Sequence, residues 1–263
     1  MDKFKIRKMT DTVTEITGAD RDSFYLVEGE EYAAVIDTGV SPGTEITPFL
    51  RTLTRKPLIL LLTHAHIDHI HHMDEFETVY MCHEELQMDA DFLRQMMGGK
   101  DLDLPGTKHI TTGDVIDLGG RTMEVCQVYG HTPGSVVFYD KKEDLLFSGD
   151  AFGSGCGVWM QLGCSSDLKI YRQSLTNFIR WAAQKSPTMT ILGGHYYQRW
   201  ESRAHPGDNP MTLGVVADLL CLTDKILKGE IVGKPLEMEQ RLAPDGALQA
   251  SFGRAEMLYK ANY

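Results

Sequence analysis

His64, His66, Asp68 and His69 fall within six consecutive positions. All four side chains carry nitrogen or oxygen donors that bind transition metals. His64 and His66 are two residues apart, so on an extended backbone both imidazoles point to the same side. Asp68 and His69 follow where the chain is expected to turn into a short helix. Imidazole combined with carboxylate suits zinc, manganese or iron, and no thiolate is required. The competing reading is a histidine-rich surface loop. Two histidines in register, followed at once by Asp-His, count against it.

Three further positions share one context. His131 sits in Gly-His-Thr-Pro-Gly-Ser, Asp150 in Ser-Gly-Asp and His195 in Gly-Gly-His. Each follows an apolar run and lies beside glycine. One such histidine alone would read as a hydrogen-bonded structural residue. Four strand-end groups in one chain point instead to ligands that converge at a sheet edge.

The elements that must carry these groups are readable in outline. Leu58 to Leu62 is an apolar run behind Pro57, suited to a strand buried on both faces. Strand-like runs also cover 24–27, 32–36, 79–81, 123–128, 135–139, 145–147 and 188–192. One or two edge strands are expected in 3–16, a short strand at 115–118 and a final one at 247–252. Gly119-Gly120 turns a hairpin between the runs at 115–118 and 123–128. Helices are expected over 45–54, 70–76, 83–97, 167–184, with Asp167 as cap, and 210–228, with Pro210 in the first turn. Residues 98–114 and 151–166 read as loops. Hairpins and helices thus occur on each side of about residue 112. The expected fold class is α/β, two sheet-and-helix halves packed as one four-layer domain over 1–263.

Composition narrows the partners. The 263 residues carry a formal net charge of −11, which repels phosphate backbones, so no nucleic-acid partner is expected. The five cysteines form no CxxC pair and read as reduced thiols. No apolar run approaches a membrane span and the N-terminus has no signal core, so a cytoplasmic protein without a membrane partner is expected. The expected partner is a small-molecule substrate, with a homo-oligomer left open.

The pattern HxHxDH, then a distant His, Asp and His, resembles the metallo-β-lactamase fold superfamily over about residues 24–195. That resemblance implies an αβ/βα sandwich with two divalent metal ions at one edge, zinc first, with iron or manganese as alternatives. It implies one ion on His64, His66 and His131, a second on Asp68, His69 and His195, and Asp150 bridging them. An aspartate at 150 departs from true β-lactamases, and His66 departs from the HxExDH of flavodiiron reductases. Gly155-Cys156-Gly157 is similar to glyoxalase II, but Val158 stands where that pattern has Arg. His71 and His72 stand where many members have Gly-Gly.

The implied activity is a binuclear hydrolase that uses a metal-bridging hydroxide on a small ester, thioester or lactone. Asp68 is also expected to orient the attacking group. Asp37, in Asp-Thr-Gly, is either an acceptor for a ligand histidine or a turn cap. Tyr196 and His205, with Tyr197, are candidate proton donors near His195. Phe152, Trp159 and Met160 either line an apolar wall or pack in the core. The alternatives are a phosphodiesterase on the same metals and a mononuclear iron enzyme resembling the persulfide dioxygenases.

Overall fold

The structure is a computed structural model that describes residues 4–18, 22–88, 104–153, 157–195, 211–236 and 246–260. The first sheet runs in chain order: β1 (Lys5–Lys8), β2 (Val13–Thr17), β3 (Ser23–Glu28), β4 (Ala33–Ile36), β5 (Leu58–Leu61), β6 (Val79–Cys82) and β7 (Thr107–Ile110). Strands β1 to β4 pair antiparallel, and β4 to β7 pair parallel. The change of sense needs crossovers, supplied by α1 (Thr47–Leu53) and by α2 (Ile67–Ile70) with a 3₁₀ turn at Met73–Glu75.

The second sheet contains β8 (Val115–Asp117), β9 (Thr122–Gln127), β10 (Val136–Asp140) and β11 (Leu145–Gly149), in an antiparallel meander. After β12 (Val158–Met160), helix α3 (Leu168–Ala182) leads to β13 (Thr190–Gly193), which pairs parallel with β11. Helix α4 (Leu213–Leu227) then precedes β14 (Lys234–Pro235), β15 (Ala247–Phe252) and β16 (Ala255–Lys260).

Alternation along the strands creates the layers. Ala34, Ile36, Ile59 and Leu61 face a core shared with Val136, Phe138 and Phe147 of the second sheet. Their neighbours Ala33, Val35, Leu60 and Leu62 face the other way, toward Ile46, Leu50 and Ile70. Val137 and Tyr139 likewise turn outward onto Tyr171, Phe178 and Leu219. The result is helix, sheet, sheet, helix, the sandwich expected from the sequence. A buried ion pair also crosses the layers. Arg121 pairs with Asp140 of β10, and its Nη1 donates to Thr12 Oγ1 at 2.8 Å and to the Glu28 carbonyl at 3.1 Å.

Several expectations are corrected. The helix expected at 70–76 is α2 from Ile67 followed by the 3₁₀ turn, because the His66 carbonyl already accepts from His69 N and Ile70 N. The helix expected at 83–97 begins as a 3₁₀ turn, His83–Gln87, and 89–97 lie outside the described residues. The loop expected at 98–114 contains β7, whose Thr-Lys-His-Ile is polar because it lies on a sheet edge. The loop expected at 151–166 contains β12, which pairs with β16 in an unforeseen third sheet, β12-β16-β15-β14. Asp167 holds the cap position of α3 but makes no side-chain cap bond. Helix α4 starts at Leu213, and Pro210 lies outside the described residues.

Among the described residues, no helix is long and apolar enough to cross a membrane. Cys82, Cys126, Cys164 and Cys221 are free thiols.

Removing one member of a buried ion pair strands the other in a low dielectric. Arg121→Ala is therefore expected to lower unfolding free energy by about 3–5 kcal/mol. Denaturant titration would show this. The exposed Ile6→Ala control is expected to shift stability by no more than about 0.5 kcal/mol.

Candidate metal centre

The site lies where strands of both sheets end, at the edge of the sandwich. Strand β5 stops at Leu61, three residues before His64, so the paired histidines sit in the loop after the strand. Their rings still share one side, with centroids 4.8 Å apart. Val136 N donates to the Thr63 carbonyl at 2.9 Å, joining this loop to the second sheet. Gly149 approaches Thr63 so closely that a Cβ there would lie 2.1 Å from Thr63 Oγ1. On the far side, Tyr25 OH donates to the Gly193 carbonyl and Ser23 N to the Gly194 carbonyl, both at 2.6 Å. Strand β3 thereby fixes the segment that ends in His195.

Each buried imidazole has one ring nitrogen committed to a protein group. His64 Nδ1 contacts Thr63 Oγ1 at 3.0 Å. That hydroxyl donates onward to Asp37 Oδ2 at 2.8 Å, so it accepts from His64. His131 Nδ1 donates to the Trp159 carbonyl at 2.8 Å. His66 Nε2 contacts Cys164 Sγ at 3.4 Å. The other nitrogens of these three rings face one another. His66 Nδ1 lies 3.1 Å from His64 Nε2 and 2.8 Å from His131 Nε2.

Burial holds these rings neutral. It pushes His64 well below the ordinary imidazole range, His66 down to about 3, and His131 down as well. With the hydrogen of each ring on its outer nitrogen, three lone pairs converge on one point. A cation between them satisfies all three, so the donor set fits a metal ion.

A second group adjoins the first. His69 Nδ1 donates to Asp37 Oδ2 at 2.8 Å, while its buried Nε2 has no hydrogen-bond partner. That nitrogen lies 3.6 Å from Asp68 Oδ2 and 3.8 Å from Asp150 Oδ2. His195 Nε2 lies 3.2 Å from the same Asp68 oxygen and 3.3 Å from the same Asp150 oxygen. Asp150 Oδ2 also reaches His131 Nε2 at 3.7 Å, so one carboxylate oxygen stands between both groups. Three donor triads could each hold an ion: His64, His66 and His131; His64, His69 and Asp150; and Asp68, His69 and His195.

Charge pairing dominates this second group. Burial opposes charge on His69, but Asp68 and Asp37 outweigh it and lift the imidazole to about 9. Burial likewise opposes charge on His195, which Asp150 and Asp68 nonetheless raise well above the usual range. Burial would raise Asp68 and Asp150, yet the adjoining histidines hold both well below the carboxylate range. Gly194 leaves room for this cluster: a Cβ would lie 2.5 Å from His69 Cε1 and 2.9 Å from Asp150 Oδ1.

Of the two readings of Asp37, the structure shows the acceptor. Its left-handed backbone, φ 61°, is uncommon outside glycine but tolerated by Asp. The turn aims Oδ1 at Thr63 N and Oδ2 at both Thr63 Oγ1 and His69 Nδ1. Phe152 and Met160 are core residues, and Phe152 packs on Phe178 at 4.8 Å. Trp159 contributes its carbonyl to His131. Val158 is fully buried in β12. His72 Nδ1 pairs with Glu75, away from the triads. Tyr196, Tyr197 and His205, with Gly155 and Cys156, lie outside the described residues.

Sequence reading missed Glu85, Thr63, Cys164 and Asp22. Asp22 is buried, accepts from Val40 N at 3.0 Å and is pushed up to about 6 by burial. None of the four has a spacing that signals its role.

The chain is similar to known proteins in sequence and in fold. The chain is 29% identical over 182 residues to acyl-coenzyme A thioesterase MBLAC2 of Homo sapiens, covering 56% of this chain and 64% of that protein. It is 30% identical over 165 residues to a hydroxyacylglutathione hydrolase of Synechococcus sp., covering 58% and 60%. Both matches span less than two thirds of the relative's length. Among solved structures, TTHA1623 in a di-iron-bound form superposes with a TM-score of 0.53 at 27% identity, over 74% of this chain and 92% of that one. A metallo-beta-lactamase from Pontibacter korlensis superposes at TM-score 0.62 and 18% identity, over 84% and 99%, which speaks to the fold. The profile of one family matches residues 18–195, a span that contains every donor of the three triads. The chain belongs to the metallo-beta-lactamase superfamily.

Proposed function

We propose that this protein is a metal-dependent hydrolase of small thioesters that works with two divalent cations. The observation that carries the reading is the pair of donor groups joined at Asp150 Oδ2. A single cation would use one triad and leave the other paired only with itself. The relatives favour thioesters, since acyl-coenzyme A and hydroxyacylglutathione both carry their acyl group on sulfur. The di-iron TTHA1623 structure favours two ions, and nitrogen–oxygen donors admit zinc, iron or manganese.

Two such cations, when bound, acidify a water and polarise the acyl oxygen. The chain's own residues do the rest. Thr63, Trp159, Cys164 and Asp37 hold the four buried imidazoles in fixed orientation, the outer support that metal-binding histidines need. Depth assigns the open side. His64 and His69 are about 1% exposed, whereas the side chains of Asp68, His195 and Asp150 are 28%, 23% and 17% exposed. Substrate therefore approaches over Asp68. Its carboxylate is ionised and positioned to orient the nucleophile. Buried Val158 offers no cation to a substrate carboxylate, which favours acyl groups on carriers other than glutathione.

Chelation is expected to abolish hydrolysis of acyl-coenzyme A and to lower the melting temperature, and added zinc or iron to restore both. Free metal at about 100 times its Kd contributes about 2.7 kcal/mol to stability. Metal analysis should return two equivalents. One iron with oxygen uptake on a persulfide would replace this reading with the oxygenase. Hydrolysis of bis-p-nitrophenyl phosphate in place of thioesters would replace it with the phosphodiesterase.

Asp68→Ala is expected to lower kcat/KM for thioesters by about 100-fold or more. Metal content and rate should be measured on the same sample. A variant with both metals and wild-type rate would strip Asp68 of its role.

A further inference from the structure

Glu85 is the most deeply buried carboxylate with a full set of partners near the metal centre. Its residue exposure is 0%, and it sits in the 3₁₀ turn His83–Gln87 after β6. An ionised side chain there carries a desolvation cost of several kcal/mol unless donors surround it. Three do. Ala65 N donates to Oε2 at 2.7 Å. Gly134 N donates to Oε1 at 2.7 Å, and Thr132 Oγ1 donates to the same oxygen at 2.5 Å. Thr132 Oγ1 lies 2.6 Å from Ser135 Oγ, which completes its own hydrogen bonding.

The location of these donors gives Glu85 its meaning. Ala65 lies between His64 and His66, and Thr132 directly follows His131. The carboxylate therefore ties the two loops that supply the three-imidazole triad. The fit is tight, since a Cβ on Gly134 would lie 2.5 Å from Glu85 N. Burial pushes the Glu85 carboxyl up to about 7, against the lowering effect of Thr132, Ala65 and Gly134.

We propose that Glu85 is a positioning residue that sets the separation of the His64–His66 loop from the His131 loop, and with it the geometry of the metal-binding triad. This rests on the reading that the triad holds a metal ion. A glutamine cannot replace the carboxylate. Whichever way its amide is turned, the NH2 meets Ala65 N–H or Gly134 N–H, donor against donor.

The test is cobalt(II) binding to the full-length protein, read by visible absorption and by titration, beside melting temperatures of the metal-free proteins. Glu85→Gln is expected to weaken cobalt binding 10- to 100-fold, roughly the range for lost outer partners of metal ligands, and to change the d–d bands. Thr132→Val removes one donor and leaves the carboxylate in place, so it serves if Glu85→Gln fails to fold. It is expected to weaken cobalt binding and shift the bands in the same sense, and Thr132→Ser to restore both. Wild-type affinity and bands in Glu85→Gln and Thr132→Val, even with a lowered melting temperature, would overturn the positioning role alone. Failure of the wild type itself to bind cobalt would overturn the metal reading and this inference with it.

Discussion

Everything in the centre depends on three imidazole nitrogens turned toward one point, with His66 Nδ1 at hydrogen-bond distance from His64 Nε2 and His131 Nε2. With the hydrogen of each neutral ring on its outer nitrogen, the inner lone pairs repel unless something positive lies among them. They cannot turn away, because the opposite nitrogen of each is engaged by Thr63, Cys164 or the Trp159 carbonyl. The outer hydrogen bonds thus convert a flexible residue type into a rigid donor. The cost of holding the rings together is offset by the packing of the two sheets around them.

That packing has a direction. The loops carrying the donors come from both sheets, and each is cross-linked to the opposite layer. Thr63 bonds to β10, Gly193 and Gly194 bond to β3, and Asp37 spans from β4 to both Thr63 and His69. Rigid strand ends on two sheets therefore define the positions of donors that are more than a hundred residues apart in sequence. Arg121 does comparable work away from the site, joining β10 to the first sheet through Asp140, Thr12 and Glu28.

Much of this was legible because it is local. Same-side imidazoles follow from a spacing of two, and apolar runs such as 58–62 announce buried parallel strands. Asp37 was visible as an acid at a strand end, though only coordinates decide that it serves His69. The unreadable parts are those whose partners are distant. Strand β12 has three residues and exists because β16 pairs with it, Val158 opposite Met257. Strand β7 is polar because an edge strand need not be apolar. Glu85 lies in a charged stretch, His83-Glu84-Glu85, where nothing separates an exposed acid from a fully buried one.

The gradient of burial across the centre also divides its labour. On the deep side, near-zero exposure removes water as a competitor and leaves imidazoles held by outer groups of the protein. On the open side, Asp68, Asp150 and His195 keep some contact with solvent and carry opposite charges at 3.2–3.3 Å. Changes on the deep side alter what the protein can bind at its core and propagate through shared partners such as Asp37. Changes on the open side meet the substrate first and have fewer neighbours to disturb.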